Sequence, residues 1–148
     1  MEKTQTPVVG SIILATVLMA GAAMVMQRHH GHVTFCQGLL RGLIHGQQSV
    51  SSQIDWAHLK ALGFDVGAHY TALPNDQERT KYRQAFVVGF ANGFSQVGGR
   101  PTIFSRWRVL SHEDGRIVVA AHYEAKHKTL LMTLPASGKP QLEALQWQ

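Results

Sequence analysis

Cysteine is nearly absent: the 148 residues contain one, Cys36, so no intramolecular disulfide can form and the fold has to rest on its core. Acidic residues are also scarce, nine Asp and Glu against fourteen Lys and Arg. They form no paired-carboxylate motif, and no HExxH, GxSxG elbow or phosphate-cradling glycine loop occurs. The recognisable hydrolase and phosphotransferase classes are therefore excluded, and a non-catalytic role is expected. No CxxCH, CxxC or HxxxH occurs, so the motifs imply no cofactor. A helix-turn-helix glycine, an RNP-type aromatic pair and zinc-finger spacing are missing too, which removes nucleic acid from the expected partners. There is no internal repeat and no low-complexity tract.

What is present begins with an apolar run. From Val8 to Met26 there is no charge, and at about 1.5 Å per residue such a helix just covers a bilayer's hydrocarbon layer of about 30 Å. Two readings compete. A cleavable signal needs a shorter apolar centre and small residues at the cut, which Ala20, Gly21 and Ala22 supply. An uncleaved anchor is favoured because the n-region carries only Lys3 besides the amino terminus and the run continues through Met24, Val25 and Met26. Cys36 follows Val33, Thr34 and Phe35 rather than small residues, so a lipoprotein is excluded. The expected organisation is a tail at 1–7, a transmembrane helix at 8–26, a His-rich juxtamembrane linker at 27–33 and a domain at 34–148. Such a chain is a single-pass bacterial inner-membrane protein with a periplasmic C-terminal domain. That side is chosen by analogy, since Lys3 and Arg28 give little charge asymmetry. Small residues in the run, Gly10, Ser11, Ala15, Ala20, Gly21, Ala22 and Ala23, suit close helix packing. The net charge of +5 and pI near 9.7 point to anionic neighbours, including lipid head groups.

The domain reads as helices over 34–100 followed by sheet over 102–148. Phe35, Cys36, Leu39, Leu40, Leu43 and Ile44 share one helical face, with Thr34 as the expected N-cap. Gly38, Gly42 and Gly46 recur every fourth residue, at about 1 kcal/mol each relative to alanine in a helix interior. Close approach of another backbone offsets that cost, or the helix simply tolerates it. Asp55 starts a short helix "WAHLKAL" that Gly63 stops, Asp65 caps another turn or two, and Asn75 with Glu78 forms a capping box. The helix after it carries Tyr82, Ala85, Phe86, Phe90, Phe94 and Val97 as a stripe, with Gly89 and Gly93 repeating the four-residue step. Such a stripe is more often core than pocket.

From Thr102 the period becomes two. Ile103, Trp107 and Val109 share a face of one strand, and Glu113 to Gly115 turns the chain. Ile117, Val119, Ala121, Tyr123 and Ala125 alternate inward on the next strand, and two more strands follow over "TLLMTL" and "QLEALQWQ". The expected class is α+β, with about three helices on a four-stranded antiparallel meander.

That element order resembles the cystatin-like and NTF2-like layout, and a single span before it is similar to VirB8-like inner-membrane components of secretion machines and to Tim44-like domains. The resemblance covers residues 34–148 and implies an assembly or scaffolding role. It assigns no residue a function.

Three clusters are candidate sites. His29, His30, His32 and Cys36 include soft metal ligands, with His32 and Cys36 four apart on one helical face. Gly31 interrupts them, and a weakly basic collar is the simpler account. Arg106, Arg108, His122 and Lys126 alternate, with Glu124, on the outward sheet face, as a docking patch for an acidic partner or as a solvated surface. If the sheet houses an isomerase or hydratase pocket, Asp65, His69 and Tyr70 are its acid–base groups. The expected function is a membrane-anchored, non-catalytic accessory subunit that binds other membrane-protein subunits. The alternatives are a small-molecule-binding or enzymatic domain whose pocket is lined by Phe86, Phe90, Trp107 and Tyr123, and a metal carrier.

Overall fold

Helix α1 runs unbroken over Val8–Ile44, 37 residues, in a computed structural model that describes residues 8–96, 98, 100 and 103–148, with side chains from residue 22 onward except His112. The tail at 1–7 with Lys3, the stripe residue Val97 and the strand start at Thr102 lie outside the described residues, as do the side chains of the small residues from Gly10 to Gly21. The chain divides into two compact units, Met1–Gly31 and His32–Gln148. The second holds the sheet and core described below.

Among the described residues no helix is long and apolar enough to cross a membrane. This overturns the transmembrane helix at 8–26, the signal anchor, and the single-pass inner-membrane placement with a periplasmic domain. The expectation treated the run as an element ending at Met26, but the helix continues. From Ala22 onward its apolar residues are interrupted by Gln27, Arg28, His29, His30, His32 and Arg41. Thr34 is accordingly no cap, because it lies within α1.

In the second unit α1 buries Cys36, Leu39, Leu40 and Leu43, spaced three and four apart. Gly46 ends the helix in the left-handed region (φ +66). Its amide donates to the Leu43 carbonyl at 3.1 Å, and the Gln47 amide donates to Gly42 at 2.9 Å, the paired bonds of a Schellman termination. A 3-10 segment, Gln48–Gln53, then buries Val50, and the Trp56 indole N–H donates to the Ser51 carbonyl at 2.8 Å.

The stretch expected as a short helix forms strands instead: β1 (Lys60–Ala61) and β2 (Phe64–Asp65), joined by Leu62 (φ +53) and Gly63 (φ +90). Two successive positive φ values make this a hairpin of the primed type. α2 (Val66–Ala72) follows, with the Asp65 carboxylate accepting from the Ala68 amide at 2.9 Å. α3 (Asp76–Gln96) has Asn75 Oδ1 accepting from the Glu78 amide at 2.9 Å. Half of the expected capping box is thus made, while the Glu78 side chain pairs with Lys81 at 3.1 Å.

β3 (Phe104–Glu113), β4 (Arg116–Tyr123), β5 (Lys128–Pro135) and β6 (Ala144–Trp147) pair antiparallel in turn. β6 also pairs in parallel with β1, Lys60 against Ala144 and Ala61 against Leu145. The sheet is therefore six-stranded and mixed, in the order β2-β1-β6-β5-β4-β3, and the expected four-stranded antiparallel meander is corrected. A two-residue strand carries no period to read, and its pairing depends on β6, some eighty residues further along the chain. Asp114 and Gly115, both at positive φ, make the β3–β4 turn. Ile117, Val119, Ala121 and Tyr123 are buried as the alternation requires, whereas Ala125 falls in an exposed 3-10 turn, Glu124–Lys126.

Candidate functional site

α3 presents Phe86, Gly89, Phe90, Gly93 and Phe94 at helical spacing toward β1, β2 and the ends of β4, β5 and β6. Because Gly89 and Gly93 carry no side chain, an apolar groove is left along the helix. A Cβ added at either position meets nothing within 4 Å. Two cavities share Leu62, Gly89 and Phe90. The first, of about 290 Å³, lies among Phe90, Phe94, Tyr123, Leu130, Leu145 and Trp147, with Lys126 and Lys128 also on its lining. The second, of about 360 Å³, continues over Phe64, Val66, His69, Tyr82 and Phe86. Both are near the lower end of the range for small-molecule pockets, about 300–1,000 Å³. Phe64 is 72% exposed and Leu62 41% exposed, so the groove is open at the β1–β2 hairpin.

Leu62 deserves its place on the lining for a further reason. A branched aliphatic residue in the left-handed region is strained by about 1–3 kcal/mol, in a turn where Asn or Gly is at ease. The strain sets Leu62 where both cavities meet. Aromatic rings continue the wall into the core: Phe90 stacks on Phe94 at 6.1 Å, Phe94 on Phe104 at 5.8 Å, and Phe104 on Tyr123 at 5.2 Å between centroids.

Of the pocket residues expected from sequence, Phe90 and Tyr123 line the first cavity and Phe86 the second, while Trp107 lines neither and packs partly buried against the core near Phe104. Leu62, Phe64, Leu130, Leu145 and Trp147 escaped sequence reasoning. Nothing local marks Leu62 or Phe64, because Leu62 falls in the turn after a strand expected as helix and Phe64 between the expected stop at Gly63 and the cap at Asp65; the four-residue step of Gly89 and Gly93 is the one available signal.

The five glycines expected at helix contacts separate into two groups. Gly38, Gly89 and Gly93 face open space, whereas a Cβ at Gly42 would run into the Val50 side chain and one at Gly46 would lie 3.3 Å from the Ala91 Cβ. A closer backbone approach occurs at Gly67, where a Cβ would collide with the Ala57 carbonyl oxygen.

The outward patch divides as well. Arg106, Arg108 and His122 come together with Thr129 over Ala120 around a small cleft of about 130 Å³, whereas Lys126 belongs to the groove. Beside the cleft, the Ser105 hydroxyl donates to Glu124 at 2.6 Å, and His122 Nε2 lies 3.6 Å from the other Glu124 oxygen. The Ser105 hydrogen bond, followed by the positive charge of His122, Arg106 and His127, holds the Glu124 carboxyl below its usual range.

His29, His30, His32 and Cys36 are strung along α1. Among the described residues no group of three His, Cys, Asp or Glu is placed to hold a metal ion. Cys36 is fully buried, and burial pushes its thiol up to about 12. Of the proposed acid–base groups, Asp65 is occupied by the α2 cap, the Tyr70 hydroxyl accepts from Arg83 at 3.2 Å, and His69 alone borders the groove. No known protein family, curated protein or solved structure matches the chain.

Proposed function

We propose that this chain is a non-catalytic binding subunit whose α+β domain holds an elongated apolar molecule with an anionic end. The observation that carries the proposal is the groove itself: apolar and aromatic over both cavities, bordered along α3 by glycine at 89 and 93, with Lys126 and Lys128 on the lining at one end. An apolar body gains about 25 cal/mol per Å² removed from water along such a wall. Lys126 and Lys128 select the end that carries charge, since no carboxylate lines either cavity. The reading stays non-catalytic because no carboxylate lines either cavity, and His69, beside Tyr82, borders the second cavity while the lysines line the first.

The test is a fluorescence titration of the full chain with a dansylated medium-chain fatty acid, set beside a neutral alcohol probe of equal length. Saturable binding is expected, with a change in tryptophan emission from Trp147. The Lys126→Ala, Lys128→Ala double variant should weaken the acid and leave the alcohol unchanged. Failure of either probe to bind saturably would overturn the proposal.

A further inference from the structure

The second concavity, on the opposite face of the sheet, is unrelated to the groove. In β3 the register passes from Ser105↔His122 to Arg108↔Ala120, so that Arg106 and Trp107 together stand against Ala121. This is a β-bulge, and its extra residue is Arg106 at φ +51, a conformation at home for glycine. The bulge changes the parity of the strand. Trp107 turns to the core, and Arg106 and Arg108 both border the cleft. Without it, residues 106 and 108 would follow the alternation that places Phe104 inside. The strained residue is thus the one that gathers two guanidinium groups on one small hollow.

The hollow is defined by chemistry as well as by shape. Its floor is Ala120, 1% exposed, and its walls are Arg106, Arg108, His122 and Thr129. A volume of about 130 Å³ is that of about four liquid waters, enough for one tetrahedral oxyanion and too small for an organic body. No side-chain hydrogen bond or ion pair engages Arg106 or Arg108 among the described residues. The nearby carboxylate, Glu124, is not on the lining; Ser105 takes one of its oxygens and His122 faces the other. Two forked guanidinium groups, an imidazole and a hydroxyl form a donor set matched to a phosphate group.

We infer that Arg106, Arg108, His122 and Thr129 form a binding site for a phosphate dianion, either free or as the terminal group of a phosphomonoester. The site does not depend on the groove, so variants that fill the groove leave it unchanged.

Titration of the full chain at constant ionic strength, followed by backbone amide NMR, tests the inference with inorganic phosphate, glycerol phosphate and vesicles containing phosphatidic acid, against chloride. Free phosphate and glycerol phosphate should both shift the amides around His122 and Thr129 saturably. A response confined to the vesicles would assign the phosphate to a lipid head group, still at the same residues. Arg106→Gln and Arg108→Gln should each weaken binding by roughly tenfold, while Arg116→Gln, on the exposed pair with Glu143, should not. Arg106→Gly provides the check that a purely structural residue would fail: it should raise the melting temperature while weakening binding as much as Arg106→Gln does. Phosphate binding no tighter than chloride, binding that survives both glutamine variants, or binding of an acidic peptide alone would overturn the site.

Discussion

Replacing Gly89 and Gly93 by alanine tests the groove and the helix that makes it at once. Both lie inside α3, where glycine costs about 1 kcal/mol relative to alanine through backbone entropy and exposed backbone. The added methyl meets nothing within 4 Å at either position, so no steric term offsets the gain. The pair should therefore add about 2 kcal/mol, slightly less if the nearness of Gly93 to the end of the helix at Gln96 weakens its share. For a domain of this size that is a rise of roughly 8 °C in melting temperature, read by circular dichroism or calorimetry. The same two methyls project into the first cavity, so affinity for the dansylated acid should fall, and Gly93→Leu should abolish it while leaving the helix intact. Stability and binding are expected to move in opposite directions, as when a protein keeps a costly feature for function. A melting temperature that falls would show that α3 is packed against something at these positions. A rise with undiminished binding would show that the ligand lies elsewhere.

Gly67→Ala should behave in the opposite way, losing about 1–3 kcal/mol because its Cβ meets the Ala57 backbone carbonyl; Gly42→Ala should lose less, since Val50 is a side chain with some room to shift, and urea melts of the two variants check the order. Cys36 should be silent to thiol reagents in the folded protein and react on unfolding. Its folded value of about 12 lies above the ordinary 9.0, so the unfolded thiol ionises first and the native state binds the extra proton between the two. The Cys36 contribution to stability should be complete below about pH 9 and decline toward pH 12 by up to about 1.4 kcal/mol per pH unit. The difference between wild type and Cys36→Ala across that window isolates the effect, and parallel curves would refute it.

Several elements were written locally. Asp65 and Asn75 cap α2 and α3 as their side chains allow, Asp114 with Gly115 turns β3 into β4, and the two-residue period of β4 names its buried face. Each depends on neighbours within a few positions, which is the range a sequence pattern reports. The candidate sites were legible only in parts: Phe90, Tyr123 and the glycine step belong to the groove, and Arg106, Arg108 and His122 to the cleft. Lys126 lies on the groove and not on the cleft, because the 3-10 turn that follows Tyr123 breaks the alternation.

The sequence by itself determined the caps of α2 and α3, the β3–β4 turn, the α+β class and the apolar faces of β4 and of α1 beyond Phe35, because those follow from backbone preference and local periodicity. Tertiary structure alone decided that Lys60–Ala61 becomes a strand beside β6, that a bulge reverses the parity of β3, that the apolar N-terminal run belongs to a longer helix, and that Gly89 and Gly93 face a groove. In each of these the deciding contact or continuation lies beyond the window in which a residue's neighbours constrain it, and there pairing and packing across the chain outweigh local propensity.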